Sequence, residues 1–313
     1  MRALLVGAGA VGQAYGLALA KAGVSVSFYV REKVVTEIRS GLTVYNAKGI
    51  GARLPVADVV TTADAIRAGR YDQVWLCVST DALLRPDLLP VIEAARGSLV
   101  VNLVPGDRAA ALLTEHLPAD LLVHGMISLV AWAAPLPGER LDGAGVRVWY
   151  PLGSPSPFSG PRAAEVVALL RQGGCPATVA PDTAWAGAAG STVLLPTMFA
   201  LELAGWSFAR WRAETAALGA SASREALAAV SQRYKRSPWV YRLLGQTWVL
   251  SLVSRLARVA APVDLEVYFR VHFSKIGVQT RMALAEWIRE TEALQLPNSA
   301  LKEMAARLGP AGV

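Results

Sequence analysis

An α/β chain, with a doubly wound parallel sheet followed by an all-α C-terminal half, is predicted by three features of this sequence. Short, almost wholly apolar runs alternate with amphipathic stretches from residue 2 to about residue 180, as buried parallel strands do when helices cover both faces of their sheet. A Gly-x-Gly-x-x-Gly turn closes the first run. Beyond Pro181-Asp182 the strand-like runs cease and helical periodicity takes over. At 313 residues the chain exceeds what one core usually serves, so two domains are expected, 1–181 and 182–313.

Residues 2–6 (Arg-Ala-Leu-Leu-Val) form the first strand. A helix carrying Val11, Tyr15, Leu17, Leu19 and Ala20 follows and closes at Gly23, and a second strand spans 24–30. That is a β-α-β unit of about thirty residues, the size of a parallel crossover. Runs at 74–78, 98–102 and 121–127 read as further buried strands, separated by helices near 62–68, 86–96 and 107–116. A last pair of strands, 146–150 and 177–180, brackets a helix over 161–173. The stretch 151–160, rich in Pro, Ser and Gly, reads as a loop. Asp182 is placed to cap the first helix of the second half. The apolar stretch 240–261 is interrupted by Arg242, Gln246, Arg255 and Arg258, which predicts a buried amphipathic helix rather than a membrane span. Trp206, Trp211, Trp239, Trp248 and Trp287 fall at helical spacings and are expected in the core.

With 53% hydrophobic and 18% charged residues the chain has ample material for a core, which excludes a disordered protein. The net charge of +7 is scattered, and its densest stretch, 233–236, reads as a solvated helix end rather than a nucleic-acid footprint. Two cysteines, Cys77 and Cys175, give no disulfide framework, and His116, His124 and His272 stand too far apart in sequence for a metal-ligand motif. The first strand starts at Arg2, so no leader segment is expected, and the reading is a soluble, cytoplasmic protein.

The turn Gly7-Ala8-Gly9-Ala10-Val11-Gly12 carries the most chemistry. It follows a strand and opens a helix, the context in which this spacing binds a dinucleotide pyrophosphate. Gly7 permits the tight turn, Gly9 lets the backbone approach the phosphates, and Gly12 allows helix and strand to pack closely. The helix N-terminus then offers unpaired N–H groups and a partial positive charge. A Rossmann domain follows from these residues. The second strand ends at Arg31 with Lys33 beyond it, where NAD-binding sites usually carry an acid for the ribose hydroxyls. A guanidinium there suits a 2′-phosphate, so NADP(H) is the predicted cofactor, with Glu32 as the one complicating charge.

With these features the sequence resembles the ketopantoate reductase (2-dehydropantoate 2-reductase) family, which shares the Gly-Ala-Gly-Ala-Val-Gly start, the arginine after the second strand, and the asparagine at the end of the 98–102 strand. The resemblance implies an NADPH-dependent reductase that binds a 2-keto acid in the cleft between two domains, the second like the C-terminal domain of 6-phosphogluconate dehydrogenase. It also places Asn102 near nicotinamide and substrate, although a strand-ending asparagine bonding local backbone explains the residue equally well. Ser79 falls where the family typically has a lysine. Trp185, Pro196 and Thr197 set the register of the family's helical motif. In that register the lysine that acts as general acid falls on Gly187, and two asparagines fall on Ser191 and Leu195.

Hydride delivery to a ketone creates an alkoxide, and a positioned acid is worth roughly a hundredfold to ten-thousandfold in rate. Glycine supplies none, so ketopantoate itself is not the expected substrate. Candidate replacement acids are Glu202, in an otherwise apolar helix that would keep it protonated, His272, three residues from Lys275, and the lysines Lys235 and Lys275 themselves; Glu202 and His272 also read as ordinary structural residues and Lys275 as a solvated one. Two readings stay open. One is an NADPH-dependent oxidoreductase acting on a carbonyl or imine of a small molecule more apolar than ketopantoate, with a homodimer as the compatible assembly and no nucleic-acid or membrane partner. The other is a catalytically silent NADPH-binding sensor or scaffold.

Overall fold

The computed structural model describes residues 1–309. The chain divides into two compact units, Met1–Ala184 and the part from Trp185 onward.

The first unit holds strands β1 Arg2–Val6, β2 Ser25–Tyr29, β3 Leu42–Tyr45, β4 Gly51–Leu54, β5 Asp58–Val60, β6 Gln73–Leu76, β7 Leu99–Asn102, β8 Leu122–Gly125, β9 Val130–Ala134, β10 Gly145–Trp149, β11 Ser156–Ser159 and β12 Ala177–Val179. Eight of them form the main sheet in the order β12-β11-β8-β7-β6-β1-β2-β5. From β8 to β5 every pairing is parallel. The order turns back at β1, with β2 on one side and β6 on the other, which makes the carboxyl ends of β1 and β6 the topological switch point where such sheets bind ligands. This is the Rossmann-type arrangement that the alternating runs predict.

Two expectations fail in this unit. The 151–160 stretch is not all loop, because Ser156-Pro-Phe-Ser159 is β11, antiparallel to β8 and parallel to β12. Phe158 explains it: the ring is fully buried and meets Trp75 and Tyr15 at 6.3 and 6.5 Å between centroids. Burial of one large aromatic outweighs the turn-forming composition around it. The strand near 146–150, β10, belongs to a separate four-stranded sheet, β4-β3-β10-β9, three strands of which the alternation does not show.

The first helix, α1 (Ala10–Lys21), is fastened across the main sheet. Tyr15 meets the Trp75 ring of β6 at 5.6 Å, tilted by 35°, and donates to Ser156 Oγ of β11 at 3.0 Å. The dinucleotide-type turn at the start of α1 thus stands on a rigid platform.

The second unit is helical. Its first helix, Thr183–Leu203, starts as predicted, with Asp182 Oδ1 accepting from the Ala184 amide at 2.9 Å. Pro196 lies inside this helix and has no N–H, which orphans the carbonyl of Thr192 four residues back. Ser223, on helix Ala216–Tyr234, donates its hydroxyl to that carbonyl at 2.6 Å. Thr192 and Ser223 are both buried, so Ser223→Ala leaves a carbonyl without partner or water. A loss of about 1–3 kcal/mol in unfolding free energy is expected, read from denaturant midpoints against wild type. Among the described residues, this helix alone is long and apolar enough to cross a membrane by length and composition, and 56% of its apolar window is packed inside the protein.

The 240–261 stretch corrects the sequence reading. Gly245 and an extended Gln246 break it into helices Trp239–Leu244 and Thr247–Ala260. Its apolar side chains are exposed rather than buried, Trp239 by 68%, Trp248 by 64% and Val259 by 88%. Trp206, Trp211 and Trp287 are buried as expected. Periodicity identifies an apolar face but not whether the same chain supplies its cover.

Candidate active site

Each glycine of the opening turn meets a different neighbour. Gly7 has φ +101°, and a Cβ there would lie 2.9 Å from the Cys77 carbonyl oxygen. A Cβ on Gly12 would lie 2.2 Å from the Gly7 carbonyl oxygen. A Cβ on Gly9 would meet no protein atom within 4 Å. The protein itself fills the space at Gly7 and Gly12, whereas the space at Gly9 is left open.

Gly9 is the extended N-cap of α1, without a side-chain cap and with no acid in the first turn. The first helical bond is Gln13 N–H to the Gly9 carbonyl, 2.9 Å, and the Gln13 side chain donates to the Ala8 carbonyl at 2.8 Å. The amides of Ala10, Val11 and Gly12 therefore precede the helical ladder. Open space in front of bare amides at a positive helix end fits a diphosphate. Cys77 lies beneath this turn, its Cβ 3.4 Å from a Cβ built on Gly12, and burial pushes its thiol up.

Arg31 is exposed at the exit of β2. Its charge also reaches Asp87, whose carboxyl is held below the usual range chiefly by the Arg85 hydrogen bond of 2.5 Å, with Arg31 contributing. Asp81 also acts on Arg85, so Arg31 and Arg85 stand beside the acids Asp81 and Asp87; neither Arg85 nor Asp87 carries a sequence motif that marks it. Ser79 is the half-buried N-cap of helix Thr80–Leu83 at the exit of β6. The neighbouring Thr80 hydroxyl donates to the Pro105 carbonyl at 2.8 Å and ties the exits of β6 and β7 together.

Asn102 ends β7, almost wholly buried at 3% exposure. Its Oδ1 accepts from the Val104 amide at 2.9 Å, and its Nδ2 lies 3.2 Å from His124 Nδ1 on β8. Both ends of the amide are thus committed, one of them to local backbone. His124 is the residue that sequence reasoning missed as a site residue: its partner stands 22 positions away, and only strand register brings the two side by side.

Glu202 is not an isolated acid. It accepts from Arg281 at 2.6 Å, and the Arg281 guanidinium also lies over the Phe199 ring at 5.5 Å. His272 stacks on Tyr268 at 5.4 Å and packs edge-on against Phe273 at 5.2 Å. Burial, and then Lys275, lower its pKa, so it is a neutral ring in an aromatic cluster. Glu202 and His272 thus engage unrelated partners. Gly187 stands in the second turn of helix Thr183–Leu203, its carbonyl accepting from the Ser191 hydroxyl at 2.8 Å. Trp185 is held between Tyr234 and Tyr241, each ring centroid 5.7 Å away. No group of three or more His, Cys, Asp or Glu converges among the described residues.

Fold and glycine turn together define a Rossmann-type α/β protein with an all-helical second half. Residues 3–134 match the family model of ketopantoate reductase PanE/ApbA. None of the curated proteins compared with the chain matches it. Among solved structures it is similar to the PanE/ApbA family ketopantoate reductase from Ralstonia eutropha JMP134, with TM-score 0.69 and 18% identity over 98% of this chain and 97% of the other. The 2-dehydropantoate 2-reductase from Porphyromonas gingivalis W83 gives 0.65 and 17% over 98% and 99%. D-mandelate dehydrogenase, solved with NADH and anilino(oxo)acetate, gives 0.70 and 13% over 98% and 97%.

Proposed function

We propose that this chain is an NADP(H)-dependent oxidoreductase, similar to ketopantoate reductase, that reduces the carbonyl or imine of a small substrate more apolar than ketopantoate. The observation that carries it is the open space at Gly9 before the uncapped end of α1. The match of residues 3–134 to the ketopantoate reductase model supports the reaction class. Gly187, Ser191 and Leu195, where that family has lysine and asparagines, support a less polar substrate. The likeness to D-mandelate dehydrogenase supports an aromatic 2-keto acid. A reduced nicotinamide held at the glycine turn would supply the hydride for the carbonyl carbon. The C=O π pair moves to oxygen, and one proton from solvent completes the hydroxyl. Ala10, Val11 and Gly12 would hold the diphosphate with their amides, and Arg31 would pair with the 2′-phosphate.

Arg31→Ala is expected to weaken NADPH roughly tenfold to a hundredfold, the worth of a charged hydrogen bond. NADH affinity should stay within about threefold, because Arg31 then pairs with nothing NADH carries. Calorimetric titration of both variants with both coenzymes decides it, and an equal loss for the two would remove the phosphate-reading role. NADPH oxidation with phenylglyoxylate and other apolar 2-keto acids tests the reaction.

Gly187, which offers no acid, favours one alternative, a silent NADPH-binding sensor or scaffold; NADPH binding without turnover would select it. Solution state and location belong to the same proposal: a cytoplasmic homodimer without nucleic-acid or membrane partners, to which exposed Trp248, Leu252, Leu256 and Val259 offer an apolar face.

A further inference from the structure

We propose that the His124 ring, oriented by Asn102, donates its Nε2–H to the substrate oxygen and so supplies the stabilisation that glycine at position 187 cannot. This rests on the oxidoreductase reading and names the group that would make the chemistry work.

Position comes first. Asn102 and His124 are register partners on the parallel strands β7 and β8, at the carboxyl edge of the sheet that carries the glycine turn. Open α/β sheets take their ligands outside this edge.

Hydrogen bonding then fixes the protons. The Val104 amide can only donate, so the Asn102 atom facing it at 2.9 Å is Oδ1. The other end of the amide, Nδ2, therefore faces His124 Nδ1 at 3.2 Å. An amide NH₂ only donates, so Nδ1 must present its lone pair. In a neutral ring the single proton is then on Nε2. A second proton, on Nδ1, would set N–H against N–H. Burial opposes that charge as well and is what lowers the His124 pKa, with no charged neighbour contributing. The His124 main-chain carbonyl accepts from Thr183 Oγ1 at 3.4 Å, and that hydroxyl bonds Ser159 at 2.8 Å, which ties β8 to β11 beside the ring.

His124 is thus a fixed, neutral N–H donor. Such a donor stabilises an oxygen as negative charge develops on it without giving up its own proton. Solvent provides the proton that completes the alcohol. Asn102 is accordingly a positioning residue, and its burial belongs to its role.

The test uses the whole chain. Long-range ¹H–¹⁵N spectra of the coenzyme-free protein should show His124 protonated at Nε2 alone from about pH 5.5 to 8.5, across the ordinary histidine range. Asn102→Asp replaces the donor by an acceptor, so His124 should begin to titrate, and the pH profile of phenylglyoxylate reduction should gain a limb absent in wild type. His124→Phe should lower kcat by about a hundredfold to a thousandfold, the worth of one such donor, with NADPH affinity within about threefold of wild type. His124→Gln keeps an N–H near the Nε2 position and should recover roughly tenfold of that loss. A ring protonated at Nδ1 near neutral pH, or a His124→Phe variant as fast as wild type, overturns the inference alone. A wild-type chain that binds NADPH yet reduces no 2-keto acid overturns the underlying reading with it.

Discussion

Replacing Gly12 by alanine is expected to destabilise the first unit and abolish NADPH binding, whereas the same change at Gly9 should spare the fold and still weaken binding. The added carbon is identical; only its surroundings differ. At position 12 it would stand 2.2 Å from the Gly7 carbonyl oxygen, and since that neighbour is backbone, the turn itself must shift. Overpacking of this kind costs about 1–3 kcal/mol and occasionally more. The shift also moves the amides of α1 out of line with the diphosphate. At position 9 the backbone is extended, with φ −71° and ψ −175°, so alanine fits without strain and can add about 0.4–1 kcal/mol by restricting the unfolded chain. Its methyl group would project into space that no protein atom occupies within 4 Å, the space the diphosphate needs. Thermal melts should separate the two variants while calorimetry with NADPH shows both impaired. A Gly9→Ala protein that binds NADPH as wild type does would mean the open space is not the coenzyme's, and the cofactor assignment would fall with it.

This contrast also marks what the sequence could reveal. The spacing of Gly7, Gly9 and Gly12 after an apolar strand encodes the turn completely, because each glycine answers a local requirement. The parallel strands of the main sheet are legible for a similar reason: burial on both faces leaves them almost purely apolar. Strands β3 and β4 and the short edge strand β5 escape this, because Thr43, Arg53 and Asp58 interrupt what would otherwise be apolar runs. β11 is hidden by Pro157, which has no N–H to give, yet its carbonyl still accepts from Met126 at 2.9 Å.

Two side-chain pairs were beyond sequence reasoning altogether. His124 finds Asn102 through strand register, and Glu202 finds Arg281 across 79 residues of helical unit. An apolar surrounding in sequence made Glu202 look like a lone protonated acid, but a cation from a distant helix supplies its partner. Trp239 and Trp248 show the reverse error, since helical spacing alone cannot say whether a face will be covered.

A larger effect on stability is expected from a residue that sequence reading marks only as the end of a helix. Gly173 caps helix Ala163–Gln172 with φ −80°, a conformation any residue adopts, so its conformational freedom is not what the site needs. What it lacks is volume: a Cβ there would lie 1.8 Å from the Ala18 carbonyl oxygen and 2.6 Å from its carbonyl carbon. Gly173→Ala must therefore push this helix end away from α1, and neither partner can yield by rotating a side chain. A loss of about 3 kcal/mol or more is expected, the upper range for overpacking, which corresponds to a fall of roughly 6–12 °C in Tm. Gly174 is the natural control. It has φ +79° and nothing within 4 Å, so alanine there costs only the left-handed backbone strain of about 1–2 kcal/mol. Because α1 carries the glycine turn at its other end, Gly173→Ala should also weaken NADPH if that turn is its site, whereas Gly174→Ala should not. Equal melting of Gly173→Ala and wild type would show that the helices do not approach this closely, and that the platform beneath the turn is looser than described.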